Sequence, residues 1–155
     1  MNTPRPETLV SDVQAPVTRP WWQLGLAAAV IAAVANLIVF AIAVGAAGID
    51  VRITPSPGES ELVDLTAGPV ILMSVVPALL ATLLAAGLAK WTAAPRRWFL
   101  GVAAVILVLS LFPVAGLAIS TGAKVTLALM HLIAAAVIVG LLAPPLAAID
   151  PATRR

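Results

Sequence analysis

Residues 22–47 read WQLGLAAAVIAAVANLIVFAIAVGAA, an apolar run without a single Asp, Glu, Lys or Arg. A helix rises about 1.5 Å per residue, so about 20 apolar residues cross the roughly 30 Å hydrocarbon core of a bilayer. A run of this length is typical of a membrane-spanning helix rather than of a soluble one. It also exceeds the roughly 7–15 residues of a signal-peptide core, so we expect it to be retained as a span.

Three further runs of the same kind follow, at about 68–89, 98–119 and 125–143. A helix satisfies its own backbone groups, which lipid cannot do, so helices are expected throughout. The sequence therefore predicts an all-α membrane protein, an up-down four-helix transmembrane bundle. Pro144 and Pro145 leave open whether the last helix ends near 143 or continues to about 148.

The composition agrees with a membrane protein. The 155 residues are 61% hydrophobic and 10% charged, whereas soluble domains are about half apolar and about a quarter charged. The chain contains no cysteine, which excludes disulfides, thiolate metal sites and thiol catalysis within it. A net charge of only +2, carried by scattered basic residues, argues against a nucleic-acid partner and favours contact with the lipid bilayer.

Basic residues lie on alternate connecting segments and predict the orientation. Of the nine Lys and Arg residues, only Arg52 and Lys124 lie in the first and third loops. The others lie before the first run, in the second loop and in the tail. By the positive-inside rule, both termini are expected on the cytoplasmic side of the membrane. The four tryptophans fall at the same predicted interface: Trp21, Trp22, Trp91 and Trp98.

The remaining segments divide the chain into an arm, a four-span domain and a tail. Residues 1–20 are polar and rich in proline, so they are predicted to form a disordered cytoplasmic arm. The four-span domain covers 21–149, with a sizeable outer loop at 48–67. Residues 150–155 form a short cytoplasmic tail.

The outer loop combines an extended pattern with a turn signal. Residues 51–54 alternate between apolar and polar side chains, which indicates an extended piece. Ser56 and Glu59 fit a capping box, which predicts a short surface helix through Leu65. The acidic residues of the loop could bind a cation, but a solvated connector is the favoured interpretation.

Few polar side chains lie inside the apolar runs, and most fall in the predicted outer half. Asn36, Ser74 and His131 lie there, and Ser110 lies near the middle of the third run. An ionisable residue inside a membrane is a candidate site by default. These four residues are therefore candidates for ligand binding or proton handling.

Prolines and small residues predict how the helices meet in that half. Pro77 and Pro113 each free a backbone carbonyl, which predicts bends and a small cleft open to the outside. Small residues at helical spacing let backbones approach each other. Two such stripes are Gly25, Ala29, Ala32 and Asn36 in the first run, and Ala128, His131 and Ala135 in the fourth. We expect both stripes to face the interior and to bring Asn36 and His131 within reach of each other.

His131 supports a structural and a functional interpretation. It is either a neutral hydrogen-bond partner between helices, for Asn36, Ser110 or a freed carbonyl, or a group that handles a proton or binds a ligand. One histidine without cysteine cannot supply two axial haem ligands, and the chain has no HExxH motif or phosphate loop. No cofactor, no metal and no enzyme activity are expected.

Several short segments carry a likeness to a known family. They are Ala35-Asn36-Leu37, Gly45 with Gly48-Ile49-Asp50-Val51, Arg96-Arg97-Trp98, Leu109-Ser110-Leu111 with Pro113, and residues 126–132. On these segments the chain resembles a family of uncharacterised four-helix bacterial membrane proteins, known mainly from actinobacteria, over about residues 20–143. The resemblance implies a four-span bundle, here expected in a bacterial plasma membrane, and no particular chemistry.

Two functions remain in view. The first is a non-enzymatic accessory or interaction protein, whose partner is a second copy of the chain or another membrane protein. The alternative is a small transporter or ligand-binding membrane protein that uses an outward-facing layer of Asn36 and His131. Transport needs a continuous aqueous route, and the inner half of the runs, mainly Ala, Leu, Val and Gly, favours dry packing. A lipid-handling or redox enzyme is disfavoured, because the chain lacks Cys and Tyr and its runs lack carboxylates.

Overall fold

A computed structural model describes residues 20–54 and 61–149, and the predicted arm, capping box and tail lie almost entirely outside these residues. The described chain forms α1 (Trp21–Ala41), a π-helical turn (Ile42–Ala46), β1 (Arg52–Ile53), β2 (Val63–Asp64), α2 (Ala67–Trp91), α3 (Pro95–Gly116) and α4 (Thr121–Ile149). The four helices, the first counted with its π-helical turn, are long and apolar enough to cross a membrane. The predicted all-α four-helix bundle is confirmed.

The helices run up and down, because short segments join α2 to α3 and α3 to α4. α1 packs against α2 and α4, and α3 packs mainly against α4. We call the end of the bundle that holds Lys90, Arg96 and Arg97 the basic end. The opposite end, where the two strands lie, is the hairpin end.

Several helix boundaries differ from the apolar runs, and the prolines account for two of these differences. α3 begins at Pro95, three residues before the apolar run, because proline at the first position of a helix has the right backbone angle and lacks only an N–H that would be unpaired anyway. α4 continues through Pro144 and Pro145 to Ile149. The alternative left open by the sequence is therefore settled in favour of the longer helix.

The predicted small-residue stripe of α1 faces the interior. Gly25, Ala29, Ala32 and Asn36 are all buried, together with Ala28 and Ala33. At the basic end, α1 packs in a cluster with Ala78 and Ala85 of α2, Phe99 of α3 and Leu142 and Leu146 of α4. The side chains of the first two helices at this cluster are small, so the helices lie close together.

The predicted stripe of α4 is wrong. Ala128, His131 and Ala135 are only half-buried, and α4 buries Leu127, Met130 and Ile138 instead. The physical reason is that small residues mark a face only where two backbones approach closely. α4 instead fills the interior with larger side chains, whose apolar character does not distinguish core from lipid.

The expected extended piece of the outer loop is confirmed as β1, but it is followed by a second strand, and residues 61–65 are not helical. β1 and β2 pair antiparallel, with Arg52 opposite Asp64 and Ile53 opposite Val63. Arg52 binds Asp64 at 3.1 Å and Asp50 at 3.0 Å, and the Leu65 N–H donates to the Val51 carbonyl at 2.8 Å. The Leu65 N–H is thus bonded across the hairpin, and residues 61–65 are not helical, so the predicted surface helix does not extend to Leu65.

The hairpin covers part of the bundle where an open cleft was expected. Val51 is buried, and Ile49, Ile53 and Leu65 pack with it against α3 and α4. Their contacts in the two helices include Val114, Ala123 and Leu127. Burial of these apolar loop residues closes the α3–α4 side of the hairpin end.

Among the described glycines, Gly25 makes the closest contact with a neighbouring helix. A β-carbon at this position would lie 2.7 Å from Thr82 Cγ2 and 2.9 Å from Thr82 Cβ. Thr82 is held in place because its hydroxyl donates to the Ala78 carbonyl at 2.7 Å. We expect Gly25→Ala to lower the free energy of unfolding in detergent by about 1–3 kcal/mol.

Gly101→Ala in α3 is the matched control, because a β-carbon there meets nothing within 4 Å. It should leave the bundle as stable or up to about 1 kcal/mol more stable, since alanine favours a helix over glycine. Thr82→Ala should restore part of the stability of Gly25→Ala. Equal losses for Gly25→Ala and Gly101→Ala would show that α1 and α2 are not in close contact.

Candidate functional site

Asn36 and Ser74 meet at the interface of α1 and α2. Asn36 Nδ2 donates to Ser74 Oγ at 3.0 Å, and Ser74 Oγ donates to the Val70 carbonyl at 2.8 Å. The two residues are 4% and 1% exposed. In hydrocarbon such groups must find partners within the protein. The amide of α1 is thus linked through one hydroxyl to the backbone of α2.

The amide oxygen of Asn36 is not part of this link. Among the described residues, Asn36 Oδ1 is the one buried side-chain nitrogen or oxygen without a hydrogen-bond partner. Turning the amide over would not help, because the Ser74 hydroxyl proton is already donated to Val70 and the amide NH₂ would lose its acceptor. A buried unpaired polar group costs about 1–3 kcal/mol. Asn36 Oδ1 is therefore the place in the bundle where an added hydrogen-bond donor would be favoured most.

His131 binds its own helix. Its Nδ1 lies 2.7 Å from the Leu127 carbonyl, one turn earlier in α4. A carbonyl oxygen only accepts, so Nδ1 carries the proton and donates, and in the neutral ring Nε2 is left as an acceptor. The expected contact between His131 and Asn36 is not formed, because Asn36 is bonded to Ser74 and α4 turns Met130 rather than His131 inward.

The other intramembrane hydroxyls are also satisfied locally. Ser110 Oγ donates to the Leu107 carbonyl at 2.7 Å, and Thr126 Oγ1 donates to the Gly122 carbonyl at 2.9 Å. Such bonds are common for hydroxyls inside helices. Of the four predicted site residues, the structure thus joins Asn36 to Ser74 and leaves Ser110 and His131 bonded to their own helices.

In residues 20–54 and 61–149, no group of three or more His, Asp or Glu side chains could hold a metal ion. The polar pair of α1 and α2 consists of an amide and a hydroxyl, which are neutral groups that interact through hydrogen bonds. The pair of Asn36 and Ser74 can orient a hydrogen-bonding group, and it contains no carboxylate through which a proton could be transferred.

A groove at the basic end was not expected from the sequence. It lies between α3 and α4, has a volume of about 530 Å³, and is open on one side. Its walls include Arg96 and Leu100 of α3 and Val139, Gly140, Ala143 and Pro144 of α4. The sequence contains its parts only as separate features: Gly140 and Pro144 lie four residues apart in α4, and Arg96 is the second residue of α3. Only the packing of α3 on α4 brings them together.

Four apolar helices with charged residues at their ends define this chain as a multi-pass helical membrane protein. It belongs to the family of unknown function DUF6069, whose profile matches residues 16–148. The predicted likeness to a family of unknown function is therefore confirmed over these residues. Comparison with curated proteins and with solved structures gives no match.

A double-mutant cycle tests the link between α1 and α2. Ser74→Ala alone should lower the free energy of unfolding by about 1 kcal/mol, because the Asn36 amide is then left without any partner. In an Asn36→Leu background the same change should cost much less. A coupling energy of about 0.6–1.7 kcal/mol is expected for such pairs in membrane bundles, and a coupling of zero would contradict the bond.

His131→Leu provides a contrasting measurement in the same assay. The lost hydrogen bond lies within α4, so no helix–helix contact is broken, and we expect a change within about 0.5 kcal/mol. Stability should be measured from mildly acidic to mildly basic pH, with Leu132→Ala as a neighbouring control on the exposed face. A loss larger than that of Ser74→Ala would show that His131 joins helices after all.

Proposed function

We propose that this chain is a non-enzymatic accessory or interaction protein of a bacterial plasma membrane. Its partner is a membrane protein, either a second copy or a different subunit, and α3 is the helix that binds it. Both termini and the segment between α2 and α3 lie in the cytoplasm. The family match fits this proposal without naming an activity.

The orientation is supported by charge and by the tryptophans. The basic end carries Lys90, Arg96 and Arg97, and positively charged loops are retained in the cytoplasm. Trp22, Trp91 and Trp98 are all exposed at the same end. Indole rings prefer the membrane–water interface, so these side chains fit a boundary at this level.

The single observation that carries the proposal is the exposure of α3. It buries only Pro95, Phe99 and Val114, fewer residues than any other spanning helix. It packs closely on α4 and only weakly on α2. Helices in lipid associate through van der Waals contact and hydrogen bonds, since lipid supplies no hydrophobic drive. A helix with one close neighbour has the most packing left to gain from another.

The exposed face of α3 is a continuous apolar ridge. Val105, Val108, Leu109 and Phe112 follow a helical spacing, and the Phe112 side chain is 80% exposed. Ser110 contributes no free donor beside this ridge, because its hydroxyl is bonded to Leu107. The ridge therefore suits another apolar helix rather than a polar ligand.

A non-enzymatic role is supported by the chemistry of the spanning helices. His131 is their one ionisable side chain away from the helix ends, and it is hydrogen-bonded to its own backbone. General acid–base catalysis needs a base held toward a reacting group and oriented by a second residue. Neither Asn36 nor Ser74 contacts His131 through a hydrogen bond to serve in that way.

Cysteine cross-linking in native membranes tests the binding helix. The chain has no cysteine of its own, so single variants report one position each. Leu109→Cys on α3 should give a discrete cross-linked species several times more strongly than Met73→Cys on α2. The two side chains are 64% and 69% exposed and lie at similar depths from the hairpin end, which makes them a matched pair.

The mass of the cross-linked species separates the partners. Twice the mass of the chain indicates a second copy, and any other discrete mass indicates a different subunit. Both outcomes support α3 as an interaction helix. Equal cross-linking of the two variants would reflect random collisions in the bilayer and would contradict the proposal.

The unpaired oxygen of Asn36 favours a second candidate function, a small transporter or ligand-binding membrane protein. A ligand that donates a hydrogen bond to Oδ1 would complete the polar set of Asn36 and Ser74. Asn36→Leu discriminates between the two functions. A loss of stability indicates that the amide serves to join helices, whereas equal or higher stability indicates a group retained at a cost to the fold, as functional groups often are.

A further inference from the structure

The groove between α3 and α4 runs from the basic end toward the middle of the bundle. Arg96 is the second residue of α3 and lies at the basic end, where the helix begins. Gly140 lies nine residues before the end of α4, which corresponds to about 14 Å along the helix. The walls therefore change from a guanidinium at the mouth to apolar side chains deeper in the membrane. This is the order of polarity along a phospholipid molecule.

The groove exists because α4 has little side chain on this side. A β-carbon at Gly140 would meet nothing within 4 Å, and Ala143 adds only a methyl group. Pro144 cannot donate to the Gly140 carbonyl, and its ring crowds that carbonyl, which disturbs the regular helix at this point. The resulting groove has a volume of about 530 Å³ and is largely open to its surroundings rather than enclosed.

Among the described residues of α3, α4 and their connection, the charged side chains are all basic. Residues 95–149, which form α3, α4 and their connection, contain no Asp or Glu, and the next carboxylate, Asp150, lies outside the described residues. Among the described residues the ion pairs involve Arg52 at the hairpin end, and none involves Arg96. An arginine binds a phosphate through two parallel hydrogen bonds. Arg97, the next residue after Arg96, is also basic and exposed.

We propose that this groove binds an anionic phospholipid. The Arg96 guanidinium holds the phosphate, and one acyl chain lies along Leu100, Val139 and Gly140. Basic pockets between spanning helices at the cytoplasmic side suit anionic head groups in general. The site is separate from the ridge of α3 and from the polar pair of Asn36 and Ser74, and it rests on the proposed function only for the cytoplasmic placement of the basic end.

Native mass spectrometry of the full-length protein in detergent tests the site. The probes are dioleoyl phosphatidylglycerol and dioleoyl phosphatidylcholine, which share their acyl chains and differ in net charge. The parent protein should retain dioleoyl phosphatidylglycerol, the anionic lipid, more strongly than dioleoyl phosphatidylcholine. Arg96→Gln should weaken that binding about fivefold, the factor that corresponds to about 1 kcal/mol for one basic residue near the membrane surface.

Arg97→Gln is the matched control, because it removes the same charge from the next position, which does not line the groove. It should weaken binding less than twofold. Gly140→Leu should weaken the binding of both lipids, since it fills a space that the backbone leaves open. Its unfolding temperature without lipid should be no lower than that of the parent, since leucine favours a helix over glycine, and this separates a filled groove from a damaged fold.

Glycerol phosphate, which lacks acyl chains, distinguishes a lipid site from a phosphate site. It should not displace the bound lipid at the lipid's own concentration. Equal losses for Arg96→Gln and Arg97→Gln would show diffuse attraction to a basic surface and overturn the proposal. Unchanged lipid binding in Gly140→Leu, or displacement by glycerol phosphate alone, would overturn it as well.

Discussion

The close approach of α1 to α2 is the contact on which the rest of the bundle depends. Gly25 faces Thr82 with no room for a methyl group, and Ala28, Ala32 and Ala78 are fully buried nearby. Helices in lipid gain little from burying apolar surface, so their association rests on dense van der Waals contact and a few polar bonds. Asn36 and Ser74 can bond only because the backbones lie this close along the same interface.

The spans and the packing face of α1 could be predicted from sequence, but the face of α4 could not. Length and apolarity identify a span, and small residues at helical spacing identify a close contact such as that of Gly25 and Ala29. Where helices meet through larger side chains, as at Met130 and Ile138, every face is equally apolar and the pattern carries no signal. The hairpin was missed because Arg52 pairs with Asp64, a partner distant in sequence.

For similar reasons, only part of the candidate site could be predicted from the sequence. Depth along the helices placed Asn36 and Ser74 in one layer, but the rotation of each helix decides which polar groups meet, and it turned His131 toward its own backbone. Asn36 Oδ1 lacks a partner because the Ser74 hydroxyl donates to the Val70 carbonyl, and no sequence pattern predicts which acceptor that hydroxyl binds. The groove joins Arg96 to Gly140 across two helices, so it too required the packing.

The two ends of the bundle differ in how a ligand could reach them. At the hairpin end, Val51 and its neighbours cover α3 and α4, and the polar pair lies buried between α1 and α2. At the basic end the groove is open on one side, and a lipid reaches it by lateral diffusion without crossing water. A ligand that binds only the folded state stabilises it in proportion to the logarithm of its concentration, and lipid surrounds the protein in excess. A lipid held between α3 and α4 would therefore act on the helix with the fewest contacts inside the bundle, and would fix α3 in the position from which its apolar ridge faces a partner.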